Sequence, residues 1–143
     1  MSAAAMGQVV FHTGLANKVD YAARLVRKAS RQGVSLVLVC EDPEAVSQVL
    51  WGASGVDFVA HASAQSETAT LLASKVVLTK SAAVPGRDLS QVVLVNACEA
   101  WPNEHARYLR VIELVGENPS DVGAGRERWK QYISDGVQPS KMG

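Results

Sequence analysis

The chain has 143 residues, with 14 basic and 14 acidic side chains, so its formal charge is zero and no global field draws it to nucleic acid or to an anionic membrane. That length suits one domain with a single sizeable core, and any anionic partner has to be met by a local patch. Two cysteines, Cys40 and Cys98, are too few for a disulfide framework and lack metal-ligand spacing, which leaves them as reduced, buried thiols.

Residues 1–7, "MSAAAMG", read as a disordered tail with neither the basic start nor the long apolar middle of a signal peptide. With no apolar run of membrane-spanning length, a cytoplasmic protein without a membrane partner is expected. From Gln8, "QVVFHT" is a β-branched and aromatic run that predicts a first strand. In "KVDYAARLVRKASRQG" the residues Val19, Ala22, Ala23, Leu25, Val26 and Ala29 recur at helical spacing, and Gly33 closes the helix as a C-cap would. "VSLVLVC", Val34 to Cys40, is the nearly continuous apolar run of a strand covered on both faces. "EDPEAVSQVLW" offers Asp42 as N-cap and Pro43 at the first helical position, predicting a helix to about Trp51.

Four more strands are read in "DFVAH", "KVVLT", "QVVLVNA" and "YLRVIELV". The Ser- and Ala-rich stretches between them give no clear element beyond a helical turn around Thr68 to Ala73. "NPSDVGAGRERWKQYISDG" predicts a last helix with Gly136 near its end, although Gly123 and Gly125 weaken its first turn. Residues 137–143 are left as a flexible tail. The alternation predicts one α/β domain over 1–143, a three-layer α/β/α sandwich around a mostly parallel sheet.

An α/β opening raises the question of a nucleotide site, and the sequence argues against one. "HTGLANK" carries a single glycine at the first strand-to-helix turn, with neither GxGxxG nor GxxxxGK[ST]. The turn "CEDPEA" is acidic and would repel phosphate. His12, His61 and His105 have no second ligand at metal-binding spacing, and no GxSxG elbow accompanies the serines. No catalytic residue, metal or cofactor is expected, and the histidines read as structural or surface residues. A small enzyme with His12 or His61 at a strand end is the weakest of the readings.

Binding chemistry is visible instead. On the last helix Arg126, Trp129, Lys130 and Ile133 fall at i, i+3, i+4 and i+7, so two cations and an indole share one face, with Arg128 and Tyr132 one step around. That face suits a ligand with an acidic part and an apolar part, such as a peptide ending in acidic residues and an aromatic. Single-stranded nucleic acid, stacked on Trp129, is an alternative ligand of a different class. A purely structural account competes with both: Trp129 and Ile133 form the core-facing stripe while Arg126 and Lys130 reach past it to water. Trp51 and Trp101, taken singly, read as packing residues.

Together these residues resemble a known family. Leu50 and Trp51 stand seven residues before Phe58 in "FVAH", and "RVIELV", "RERWKQY" and Gly136 follow in order. The pattern is similar to the chi subunits of bacterial DNA polymerase III over nearly the whole chain. The resemblance implies a Rossmann-like fold without a nucleotide site. It also implies a non-enzymatic replication adaptor that joins the clamp-loader assembly, through a psi subunit where one exists, to single-stranded-DNA-binding protein. The grip would be on that protein's disordered C-terminal tail, which is acidic and ends in Pro-Phe. By motif position Arg126 and Lys130 would meet tail carboxylates, while Val115, Trp129 and Trp51 would line or border the apolar pocket. Phe58 would face psi or a helicase-like competitor, and no direct contact with DNA is implied.

Overall fold

A computed structural model describes residues 8–42, 45–46, 62–63, 76–79, 88–102 and 105–142. Along the chain it contains β1 (Val9–Leu15), α1 (Lys18–Arg31), β2 (Leu36–Val39), β3 (Ala62–Ser63), β4 (Val76–Thr79) and β5 (Val93–Asn96). A 3-10 turn (His105–Arg107), β6 (Arg110–Gly116), α2 (Pro119–Ser134) and β7 (Ser140–Met142) complete it.

Every position of β2, β4 and β5 is buried, which requires cover on both faces of the sheet. The strands lie in the order β3-β4-β2-β5-β6-β1-β7, and all described pairings are parallel. Successive side chains of a strand point to opposite faces. Leu36, Leu38, Val95 and Leu114 accordingly pack with Ala22, Ala23 and Val26 of α1. Their neighbours Val37, Val39, Leu94, Val111 and Val115 pack on the other side with Tyr132 of α2. The two helices thus cover opposite faces, and the expected three-layer sandwich is what the chain forms.

Local signals carry through where they are described. Gly33 adopts φ 71° and the Val34 N–H reaches the Ala29 carbonyl at 2.8 Å, so α1 ends in a Schellman turn. The Ala45 N–H donates to Asp42 Oδ1 at 3.2 Å, the bond an N-cap aspartate makes. The remainder of that predicted helix, the "DFVAH" strand and the turn at 68–73 lie outside the described residues. β3 follows "DFVAH" directly and pairs with β4.

The C-terminus departs from its sequence reading. Residues 140–142, assigned to a flexible tail, form an edge strand on β1, with Val10 opposite Ser140, Phe11 opposite Lys141 and His12 opposite Met142. "SKM" has no alternation or β-branched content to announce a strand; what makes it one is the otherwise open edge of β1.

The glycines of α2 are not equivalent. A methyl group at Gly125 would meet Val115 Cγ2 at 2.9 Å, so this residue lets the helix approach β6, whereas one at Gly123 meets nothing within 4 Å. Gly123→Ala should therefore raise stability by about 0.5 to 1 kcal/mol through helix propensity alone. Gly125→Ala should instead lower it by about 1 kcal/mol or more, because the short, branched Val115 side chain cannot swing aside. Urea unfolding of the two variants tests the contrast.

A candidate peptide-binding groove beside the last helix

The orientation of α2 is set by buried polar groups. At its start Asn118 Oδ1 accepts the Asp121 N–H at 2.8 Å, with Pro119 at the first helical position. Asp121 in turn accepts from Lys18 Nζ of α1 at 3.1 Å and from the Gly116 N–H. At its end Gly136 has φ 85°, and the Gly136 and Val137 N–H groups reach the carbonyls of Ile133 and Tyr132 at 3.0 and 2.9 Å.

Between these ends the inward face is Asp121, Gly125, Arg128 and Tyr132. Opposite them on β6 stands Glu113, with 0% exposure. Its Oε1 accepts from Arg128 Nε at 2.8 Å and from Asn96 Nδ2 at 3.0 Å, and its Oε2 accepts from the Tyr132 hydroxyl at 2.7 Å. Arg128 Nη1 also donates to the Glu99 carbonyl at 2.9 Å. Burial pushes the Glu113 carboxyl above its ordinary pKa, while the Arg128 charge and the three donated bonds pull it back. The Tyr132 hydroxyl is driven strongly upward by burial and then by the Glu113 charge.

The purely structural account of the helix is therefore corrected in its residues. Ile133 is 50% exposed, and the stripe that enters the core is Arg128 and Tyr132, because the strand beneath presents a carboxylate that needs donors.

With that face committed, Trp129 comes to lie half-buried against Phe11, their ring centroids 5.0 Å apart. Beside the pair is a groove of about 420 Å³ bounded by α2, β1, β6 and β7. Phe11, Val115 and Trp129 form its apolar wall; Arg126, Lys141 and Glu117 supply its charges. Arg126, Trp129 and Val115, grouped by the sequence reading, thus share one cavity. Lys130 does not line it: it is exposed and lies 3.5 Å from Glu127 on its own helix. Trp51 and Phe58 are outside the described residues. Phe11 and Lys141 were missed, the first as an ordinary strand residue and the second as part of a tail; neither carries a local signal, since only the pairing of β7 on β1 brings them together.

A second hollow, about 310 Å³, opens at the carboxyl ends of β2 and β5. Glu41, Asp42, Glu99 and Asp121 line it against Lys18, a balance unsuited to phosphate. Among the described residues no group of three or more side chains could hold a metal ion.

His12 is 8% exposed, with Nδ1 at 2.5 Å from the Tyr21 hydroxyl. Burial first, then the Arg110 charge, lowers its pKa below the ordinary histidine value. His105 packs on Trp101 and Tyr132 and lies 3.3 Å from Asp135 Oδ2, so Trp101 and His105 cap the core beside the helix end. His61 is outside the described residues. Cys40 and Cys98 are buried and unbridged, and burial pushes the Cys40 thiol up to about 12. No described helix is long and apolar enough to cross a membrane.

Comparison with known proteins agrees with the reading of this chain. The family described as DNA polymerase III chi subunit, HolC, matches residues 6–140. DNA polymerase III subunit chi of Pseudomonas aeruginosa is 32% identical over 124 residues, covering 83% of this chain and 81% of the relative.

Two outcomes follow from the buried polar groups. Glu113→Ala leaves the Arg128 guanidinium buried without its carboxylate and should cost about 3 to 5 kcal/mol in denaturant unfolding. His12, with a folded pKa below its unfolded one, contributes stability that is fully present above the unfolded value and declines as pH falls through it toward the folded value. The melting temperature should drop on acidification below about pH 6.5, and His12→Gln should flatten that part of the profile.

Proposed function

The chain belongs to the DNA polymerase III chi subunit family, and from that premise we propose that it is a non-catalytic adaptor gripping the acidic C-terminal tail of single-stranded-DNA-binding protein. As a chi subunit it is an accessory component of polymerase III in DNA replication. The adaptor would thereby link the clamp-loader assembly to protein-coated single strands.

One observation carries this reading: Arg126, with no carboxylate partner among the described residues, stands over an apolar groove walled by Trp129, Phe11 and Val115. A guanidinium can clamp a tail carboxylate while a terminal phenylalanine enters the apolar part. The tail is disordered before binding, so the affinity would be modest and salt-sensitive. Cytoplasmic placement accompanies this role. A second contact, to a psi subunit or a helicase-like protein, would use Phe58.

Direct binding of single-stranded nucleic acid is less well supported. The chain has no net positive charge, and the indole of Trp129 already packs on Phe11.

Calorimetric titration with a peptide ending in Asp-Asp-Ile-Pro-Phe should give saturable binding that disappears when the final Phe is removed. Arg126→Ala should weaken it by about 1 to 2 kcal/mol, the range for a charge-assisted bond at a partly exposed site. Absence of binding to the complete peptide would falsify the tail reading, and binding of labelled oligonucleotide at low salt would favour the alternative.

A further inference from the structure

We propose that Lys141, on the edge strand β7, is the second cation of the tail site, and that Lys130 is not part of it; the inference rests on the tail-binding reading above. Neighbouring positions of paired parallel strands present their side chains to the same face of a sheet. Lys141 is in register with Phe11, whose ring contacts Trp129 and Tyr132 on the α2 face. The lysine therefore shares that face and lines the groove with Arg126. Two cations, one from a helix and one from a strand, flank the apolar wall.

Pairing separates these residues from the other cations on or against the last helix. Lys18 is held by Asp121, Arg128 by Glu113 and Lys130 by Glu127. Among the described residues no carboxylate lies within ion-pairing distance of Arg126 or Lys141, although both border a cavity. Two unneutralised like charges at one groove favour an anionic occupant over an empty site.

The groove also has a direction. Its lining carboxylate, Glu117, follows Gly116 at the carboxyl end of β6. An acidic peptide is repelled there, so its carboxylates are drawn to the part of the groove lined by Arg126 and Lys141. The peptide's acidic segment then passes by Lys141 while its aromatic end meets Val115 and Trp129. Lys130, exposed on the helix and beside Glu127, offers no counter-charge to that path.

The test is titration of the full chain with the Asp-Asp-Ile-Pro-Phe peptide at low and at high salt, comparing wild type with R126A, K141Q, K141R and K130Q. Lys141→Gln should weaken binding roughly two- to fivefold at low salt, the reach of an exposed ion pair. The difference should shrink at high salt, K141R should restore affinity, and K130Q should match wild type. Normal binding by K141Q alongside weakened binding by R126A would remove Lys141 from the site and leave the tail reading standing. A K141Q defect that K141R fails to restore would assign the loss to strand damage rather than charge and also overturn the inference. Weakening by K130Q equal to that of K141Q would overturn the exclusion of Lys130. A wild-type chain that does not bind the peptide would sink the tail reading itself, and this inference with it.

Discussion

A carboxyl group in the middle of a parallel strand covered on both faces has lost its water and must find donors within the protein. Glu113 finds them in Arg128 and Tyr132 of α2 and in Asn96 of the neighbouring β5. Arg128 and Tyr132 lie four residues apart on one helical face, so the two bonds fix the rotation of the helix about its axis. A buried ion pair of this kind is weak grounds for net stability, but its directionality is strong: an apolar contact tolerates sliding and a short hydrogen bond does not. Everything that α2 shows to solvent follows from which face Glu113 has claimed.

Two close approaches complete the positioning. Gly125 lets α2 settle on Val115, and the Asp121 bonds to Lys18 and Gly116 hold the start of the helix near the strand ends. Trp129 is then driven partly inward against Phe11 while Arg126 stays outside. The groove is the space left between a helix that cannot turn and an edge strand that extends the sheet beneath it. Its apolar wall and its charges come from four elements, none of which forms a site by itself.

Much of this was legible in the chain. The nearly continuous apolar run at 34–40 announced a strand covered on both faces, "QVVLVNA" announced another strand, and the family likeness of "RERWKQY" placed Arg126 and Trp129 together. Other features were less legible for definite reasons. Arg128 and Tyr132 read as a similar pair one step around the helix because periodicity gives spacing and not rotation; the carboxylate that recruits them lies 15 and 19 residues away. Lys130 read as equal to Arg126, since both sit on the same helical stripe, yet only one borders the cavity. β7 was invisible because an edge strand of three polar and flexible residues exists through its partner's backbone rather than its own pattern.

The layers, the parallel strands, the helix ends at Gly33 and Gly136 and the absence of a glycine-rich phosphate turn are all written in the residue pattern. These depend on hydrophobic period and on local backbone chemistry, which act over a few residues. Which face of the last helix is buried, that Phe11 and Lys141 border the groove, and how its charges are arranged emerge only from the folded chain. Those depend on side chains brought together from distant parts of the chain by strand register and by the donors a buried carboxylate demands, and neither distance nor register is written in any one segment.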